Sequence, residues 1–145
     1  MTLYVVTGPP ASGKTTWVAE RAKYGDVVID YDDIVAALHR EDVDGELSGD
    51  PAEQPLWLAA VANAARQAAI NEAIGLHDFA HGGFDVYIVH TTPSRQHLNS
   101  YRKHGAEMVE CDPGYGECMR RAEAERTPRQ QAFVRDWYER RGLTV

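Results

Sequence analysis

The chain has 145 residues, enough for one hydrophobic core and too few for two domains of ordinary size. Its 43% hydrophobic and 26% charged residues argue against disorder, and its apolar runs are too short to span a bilayer. The net charge of −7 gives no bulk electrostatic case for nucleic acid.

Residues 2–8, TLYVVTG, form a β-branched and aromatic run ending in glycine, the pattern of a buried strand. Residues 14–25 read as a helix, with Gly25 as its stop. DVVID (26–30) is a second strand, and 32–40 a helix with Asp32 or Asp33 as the expected N-cap. Residues 41–55 are acidic and broken by Gly45, Gly49, Pro51 and Pro55, so an acceptor-side loop is expected there. Residues 56–80 are alanine-rich and helical, with Leu56, Ala60, Ala64 and Ala68 on one stripe. FDVYIVHTT (84–92) is the third strand, and Pro93 suits the first position of a helix running to about His104. AEMVEC (106–111) is the fourth strand. A helix follows within 112–126, and a last one spans 127–141 with Thr127 and Gln130 at capping-box spacing.

Strand and helix alternate four times. The expectation is one α/β domain over 1–145, with a short parallel sheet of about four strands flanked by helices on both faces. Ligands in such folds bind beyond the carboxyl ends of the strands. No leader pattern opens the sequence, and Cys111 and Cys118 lack disulfide-framework or zinc spacing. A cytoplasmic protein with two reduced thiols is expected.

The first strand runs into GPPASGKT (8–15), which fulfils Gly-x-x-x-x-Gly-Lys-Thr through Gly8, Gly13, Lys14 and Thr15. Glycines let the backbone curl so that successive N–H groups face phosphate oxygens. The next helix adds its positive end. Candidate triphosphate contacts are Gly8, Pro9, Pro10, Ala11, Ser12, Gly13, Lys14, Thr15 and Thr16. Lys14 is placed to reach the β- and γ-phosphates, and Thr15 to offer its hydroxyl to Mg²⁺. No Asn-Lys-x-Asp guanine signature occurs, and the length suits a small kinase better than a GTPase or motor.

The second constellation is IDYDD (29–33) at the end of strand two. Asp30 and Asp32 share a face if the backbone is extended. One carboxylate can take a proton from an attacking hydroxyl, and one can support Mg²⁺, with Asp30 the metal candidate. Capping of the next helix is the alternative role. Charge is also uneven: residues 26–56 hold ten acids against Arg40 alone, and 119–141 hold seven arginines against four acids. Arg120, Arg121, Arg126 and Arg129 flank a break at Thr127–Pro128, which suggests a lid over about 114–130 that closes on phosphate. Surface arginines on amphipathic helices are the alternative.

These segments together resemble the polynucleotide 5′-hydroxyl kinases, small P-loop kinases, in their compact phage-type form. The matching stretches are GPPASGKTTW (8–17), IDYDDI (29–34), VYIVHTT (86–92) and CMRRAEAERTP (118–128). The resemblance implies ATP and Mg²⁺, a hydroxyl acceptor, Asp32 as general base, and lid arginines such as Arg126 near the ATP phosphates. Two positions depart from that pattern. Val35 stands where those kinases carry an arginine that grips the acceptor phosphate, and His90 where an Asp ends the third strand. The acids of 26–56 also disfavour a polyanionic acceptor, and a neutral or cationic hydroxyl compound fits that side better. His90 is read as structural or solvated. Trp17, Trp57 and Trp137 are read as core residues, although Trp57 on the acceptor side can stack a base.

The expected function is transfer of the ATP γ-phosphoryl to a hydroxyl on a nucleic-acid 5′-end, a nucleoside or a modified nucleotide. Small-metabolite kinase activity is an alternative, as is an ATP-binding regulatory module with little transfer. No membrane partner is expected, and the oligomeric state is not legible.

Overall fold

Alternation within the strands decides the architecture. In β1 (Leu3–Thr7), Leu3 and Val5 enter one core cluster while Tyr4 and Val6 enter another, as a two-residue period requires. The computed structural model describes residues 2–39, 56–79 and 83–143. Within them β1 is followed by α1 (Lys14–Ala19), β2 (Val27–Asp30), α2 (Tyr31–Leu38), α3 (Leu56–Phe79), β3 (Val86–Val89), α4 (Arg95–Lys103), β4 (Glu107–Glu110), α5 (Tyr115–Glu125) and α6 (Pro128–Arg140). The strands pair in parallel in the order β2-β3-β1-β4. The expected four-stranded α/β sheet is therefore present, and β1 lies inside it between β3 and β4.

Each face has its own cover. On one side Leu3, Val5, Ile29, Val86 and Ile88 pack with Ile70, Ala73 and Ile74 of α3 and with Tyr101 of α4. On the other, Val6, Tyr87 and Val89 pack with Val18 of α1, and Tyr4, Trp17 and Val109 complete the layer. Burying such a side chain contributes about 1.5–3 kcal/mol, so these two layers hold the sheet rigid beneath its carboxyl edge.

A third cluster joins α5 and α6 into a hairpin: Cys118, Met119 and Ala122 against Val134, Trp137 and Tyr138. Ala11, from the 8–13 loop, packs against this cluster. Trp137 Nε1 donates to Thr91 O at 3.1 Å, and the Tyr138 hydroxyl donates to Asp112. The hairpin is thereby docked on the carboxyl edge of the sheet. Both cysteines are free thiols.

Several expectations need correcting. The cap of α2 is Asp30, not Asp32 or Asp33. Strand and helix join without a linker, so the last strand residue stays extended (φ −125°, ψ 127°) and its Oδ1 accepts from Asp32 N at 3.0 Å. Ser94 caps α4 by accepting from His97 N at 3.1 Å, which leaves Pro93 outside that helix. The stripe Leu56, Ala60, Ala64, Ala68 is exposed. Alanine recurs on every face of α3, so its spacing carries no facing information, whereas Ile70 and Ile74 mark the buried side. Trp57 is 75% exposed rather than core, while Trp137 is buried and Trp17 half-buried. The capping box of Thr127 and Gln130, with Pro128 at the first helical position, is present in α6. The acidic stretch 41–55 lies outside the described residues. Among the described residues, no helix is long and apolar enough to cross a membrane.

Two isolated truncations test this layering by urea denaturation. Ile88→Ala, at a fully buried site in β3, should cost about 2–5 kcal/mol. Val28→Ala, 43% exposed on β2, should stay within about 0.5 kcal/mol of wild type. Equal losses at the two positions would contradict the assignment of the faces.

Candidate functional site

The loop after β1 is shaped by one close approach. Sheet bonding continues to the rim, where Cys111 N donates to Thr7 O at 2.8 Å. The chain then turns at Gly8 with φ 145°, and a Cβ there would sit 2.1 Å from the Cys111 carbonyl oxygen. Only glycine fits. Ala11 adopts φ 61° and Gly13 φ 92°, so the loop coils before α1 begins at Lys14. At Gly13 the missing side chain matters for a second reason: a Cβ there would meet Arg121 Nη1 at 3.3 Å.

Lys14 folds back into this coil. Its Nζ donates to Gly8 O at 3.0 Å, to Pro9 O at 2.6 Å and to Ser12 Oγ at 3.4 Å. These three acceptors are neutral. Burial lowers the Lys14 pKa from 10.5 to about 8, and nearby Arg126 adds to the effect. A buried ammonium in a backbone cradle of this shape fits a polyphosphate, whose oxygens would supply the missing negative charge.

Thr15 and Asp30 meet at the next level. Thr15 Oγ1 donates to Asp30 Oδ2 at 3.4 Å, and burial raises the Asp30 pKa. A hydroxyl and a carboxylate brought together beside a phosphate cradle are hard oxygen donors of the kind Mg²⁺ takes, so the residues present fit that ion. Among the described residues there is no cluster of three or more His, Cys, Asp or Glu to cage a metal alone. Magnesium at such sites usually takes only one or two protein ligands beside phosphate and water.

Asp32 does not share an extended face with Asp30, because the backbone turns helical at Tyr31. Asp32 sits in the first turn of α2 with an exposed side chain. Both carboxylates nevertheless line one cleft of ≈1380 Å³ at the carboxyl edge of the sheet. Pro10 to Thr16 line it as well, whereas Gly8 and Pro9 lie buried beneath the surface and shape it from below.

The lid candidates Arg120, Arg121, Arg126 and Arg129 all reach the same cleft from the α5–α6 side. The first two are already engaged. Glu117 accepts from Arg120 Nε at 2.9 Å, from Arg120 Nη2 at 2.6 Å and from Arg121 Nε at 2.9 Å. Arg120 and then Arg121 hold the Glu117 pKa down at about 2. Arg126 ends α5 in an extended conformation, with its backbone N–H closing on Ala122 O. Its neighbour Lys14 feels its charge.

The opposite wall carries His90, which the sequence reading took as structural or solvated, and Arg66 and Asn63, which it passed over. His90 follows β3 and is only 5% exposed. Its Nδ1 hydrogen-bonds with Tyr101 OH at 3.1 Å, and its ring meets His97 edge-on at 4.9 Å. Burial, then Arg66, lowers its pKa to about 4, so the imidazole is neutral at pH 7. Arg66 comes from α3, where it is the one Lys or Arg in residues 56–79, and that isolation was a legible signal. It lines the cleft together with Tyr31, Asn63 and His90. Val35, by contrast, is buried and offers nothing to an acceptor.

The family model AAA_33, an AAA domain, matches residues 3–136. No curated protein matches the chain. Among solved structures, TT1252 from Thermus thermophilus is similar at 16% identity and a TM-score of 0.51, over 97% of this chain and 84% of that one. The tunicamycin resistance protein of Deinococcus radiodurans matches at 14% identity and a TM-score of 0.45, over 99% of this chain and 96% of that one. At such identity the TT1252 likeness is one of fold. The α/β sheet, its helices and the loop together form a P-loop domain.

Gly8→Ala tests the loop. The overlap with Cys111 O is with backbone and cannot be relieved by a rotamer change, so the cost should exceed about 4 kcal/mol in a chemical melt. A variant as stable as wild type would show that the loop does not follow this path.

Proposed function

We propose a phosphotransfer role on one premise: the chain belongs to the AAA_33 family of AAA domains. In this reading it is an ATP-dependent kinase with a hydroxyl-bearing acceptor. The supporting observation is the convergence, in one cleft, of the Lys14 cradle, the Thr15–Asp30 pair, the Asp32 carboxylate and a bank of arginines. A passive nucleotide-binding module has no need of Asp32 or of the arginines.

The triphosphate of ATP would lie along residues 8–16, with its negative charge met by Lys14 and the inward backbone N–H groups. Mg²⁺, held by Thr15 and supported by Asp30, would neutralise charge on the β- and γ-phosphates. Asp32 would accept the proton of the acceptor hydroxyl as its oxygen bonds to the γ-phosphorus. The bond from that phosphorus to the bridging oxygen then breaks, and ADP carries the electron pair away. Arg126, the lid arginine whose charge acts on Lys14, would meet the charge that develops on the moving phosphoryl group. Residues 114–130 would act as the lid. Arg120 and Arg121 would have to exchange Glu117 for phosphate as it closes.

A polynucleotide 5′-end is the acceptor that the kinase resemblance implies, yet the position of its phosphate-gripping arginine is the buried Val35. A nucleoside, a nucleotide or another small hydroxyl compound is therefore the better-supported choice.

Radiolabelled ATP with a panel of acceptors tests the reading: a 5′-hydroxyl oligonucleotide, nucleosides, nucleotides and small alcohols. The expected result is acceptor-dependent loss of the γ-phosphoryl. Lys14→Met and Asp32→Asn should each lower it by about a hundredfold or more with the fold retained. Transfer to water alone, or full turnover by folded Asp32→Asn, would contradict the kinase assignment or the base assignment respectively.

A further inference from the structure

We propose that Arg66 is an oxyanion-binding residue of the acceptor half of the cleft, so that the acceptor carries a phosphate or carboxylate group besides its hydroxyl. Naming the group's owner as the acceptor rests on the kinase reading; the anion site itself does not.

Among the described residues, Arg66 Nε is buried and has no hydrogen-bond partner, and no ion pair engages the guanidinium. Buried donors are almost always satisfied, and leaving one unpaired is costly. The side chain is nevertheless held in place: its Cζ lies 5.7 Å from the centroid of the Tyr31 ring, on the helix that also carries Asp32. Nothing in the packing alone requires an arginine there, on a helix face otherwise built from alanine and isoleucine.

α3 packs on α2 and β2, whereas the other cleft arginines stand on or beside α5 and α6. Arg66 therefore faces the cleft from the Asp32 side, away from the lid. Its neighbour His90 is neutral and puts no competing cation beside it. A guanidinium offers Nε–H and Nη–H as a fork that matches two oxygens of a carboxylate or phosphate. An oxyanion docked on that fork would satisfy Nε and hold the acceptor from the flank, leaving its hydroxyl for Asp32. The site suits one anionic group rather than a chain of them, because among the described residues Arg66 is the one guanidinium on this side of the cleft.

The test reads Arg66 directly. Nitrogen-15-labelled protein is saturated with a non-hydrolysable ATP analogue and Mg²⁺, so that added anions do not occupy the donor loop. The Arg66 Nε–H cross-peak is identified by its loss in Arg66→Lys. Cytidine 3′-monophosphate is then titrated against cytidine, and glycerate against its methyl ester. The expected result is movement of that cross-peak by at least one anionic probe, at a concentration about tenfold or more below its neutral counterpart. The two pairs distinguish a phosphate site from a carboxylate site. Movement by neither anion, or equal movement by neutral and anionic members, overturns the inference.

Phosphoryl transfer to the same four compounds is measured in parallel. Arg66→Gln should lower the kcat/KM ratio of the anionic over the neutral acceptor by about tenfold, with Arg66→Lys partly restoring it. The ratio is taken within one sample, so partial unfolding cancels. An unchanged ratio overturns the inference while the kinase reading stands. A moving cross-peak with no transfer to any acceptor does the reverse: the anion site survives and the kinase reading falls.

Discussion

A lysine ammonium buried among backbone carbonyls is the constraint around which this protein is arranged. Lys14 belongs to the first turn of α1, yet its charge is returned to the loop that precedes it, against Gly8 O and Pro9 O. That return is feasible because the loop is tightly coiled. The coil depends on Gly8 passing within contact of the Cys111 carbonyl, at the end of the neighbouring strand. Sheet, loop and charge thus form one unit. Burial lowers the pKa of the ammonium to about 8, although Asp30 and Asp32 pull in the other direction.

The surrounding structure is organised on two sides of that charge. On one side the α5–α6 hairpin packs its core on Ala11 and anchors Trp137 to the Thr91 carbonyl, which brings a set of arginines over the loop. Glu117 holds two of them. On the other side α2 and α3 carry Asp32 and Arg66, with the neutral His90–Tyr101 pair beneath. Basic residues thus gather where a triphosphate would lie. A carboxylate and a single guanidinium stand where an acceptor would approach.

The sequence made much of this legible because the strands and the loop obey local rules. Short β-branched and apolar runs located β1 to β4, and Gly8, Gly13, Lys14 and Thr15 located the cradle before any contact was known. What it left hidden depended on direction rather than identity. Alanine spacing in α3 did not reveal which side faced the sheet, and so Arg66 was passed over. Asp30 and Asp32 were read as extended neighbours, although the chain turns helical between them and makes Asp30 the cap. Engagement of Arg120 and Arg121 by Glu117 was also hidden, since helical spacing permits such pairs without requiring them.

The most direct measurement is the titration of the Lys14 side chain by NMR, without and with a non-hydrolysable ATP analogue and Mg²⁺. With the folded pKa below the ordinary 10.5, the buried charge weakens the ligand-free fold below about pH 8, and this penalty fades as pH rises toward 10.5. A polyphosphate in the cradle favours the charged form and reverses the shift, so binding near pH 8 takes up a proton. The account predicts a midpoint of about 8 for the free protein and a rise of at least about one unit on adding the analogue. A midpoint that does not move at saturating analogue would show that Lys14 does not meet a triphosphate, and the assignment of the loop would fail.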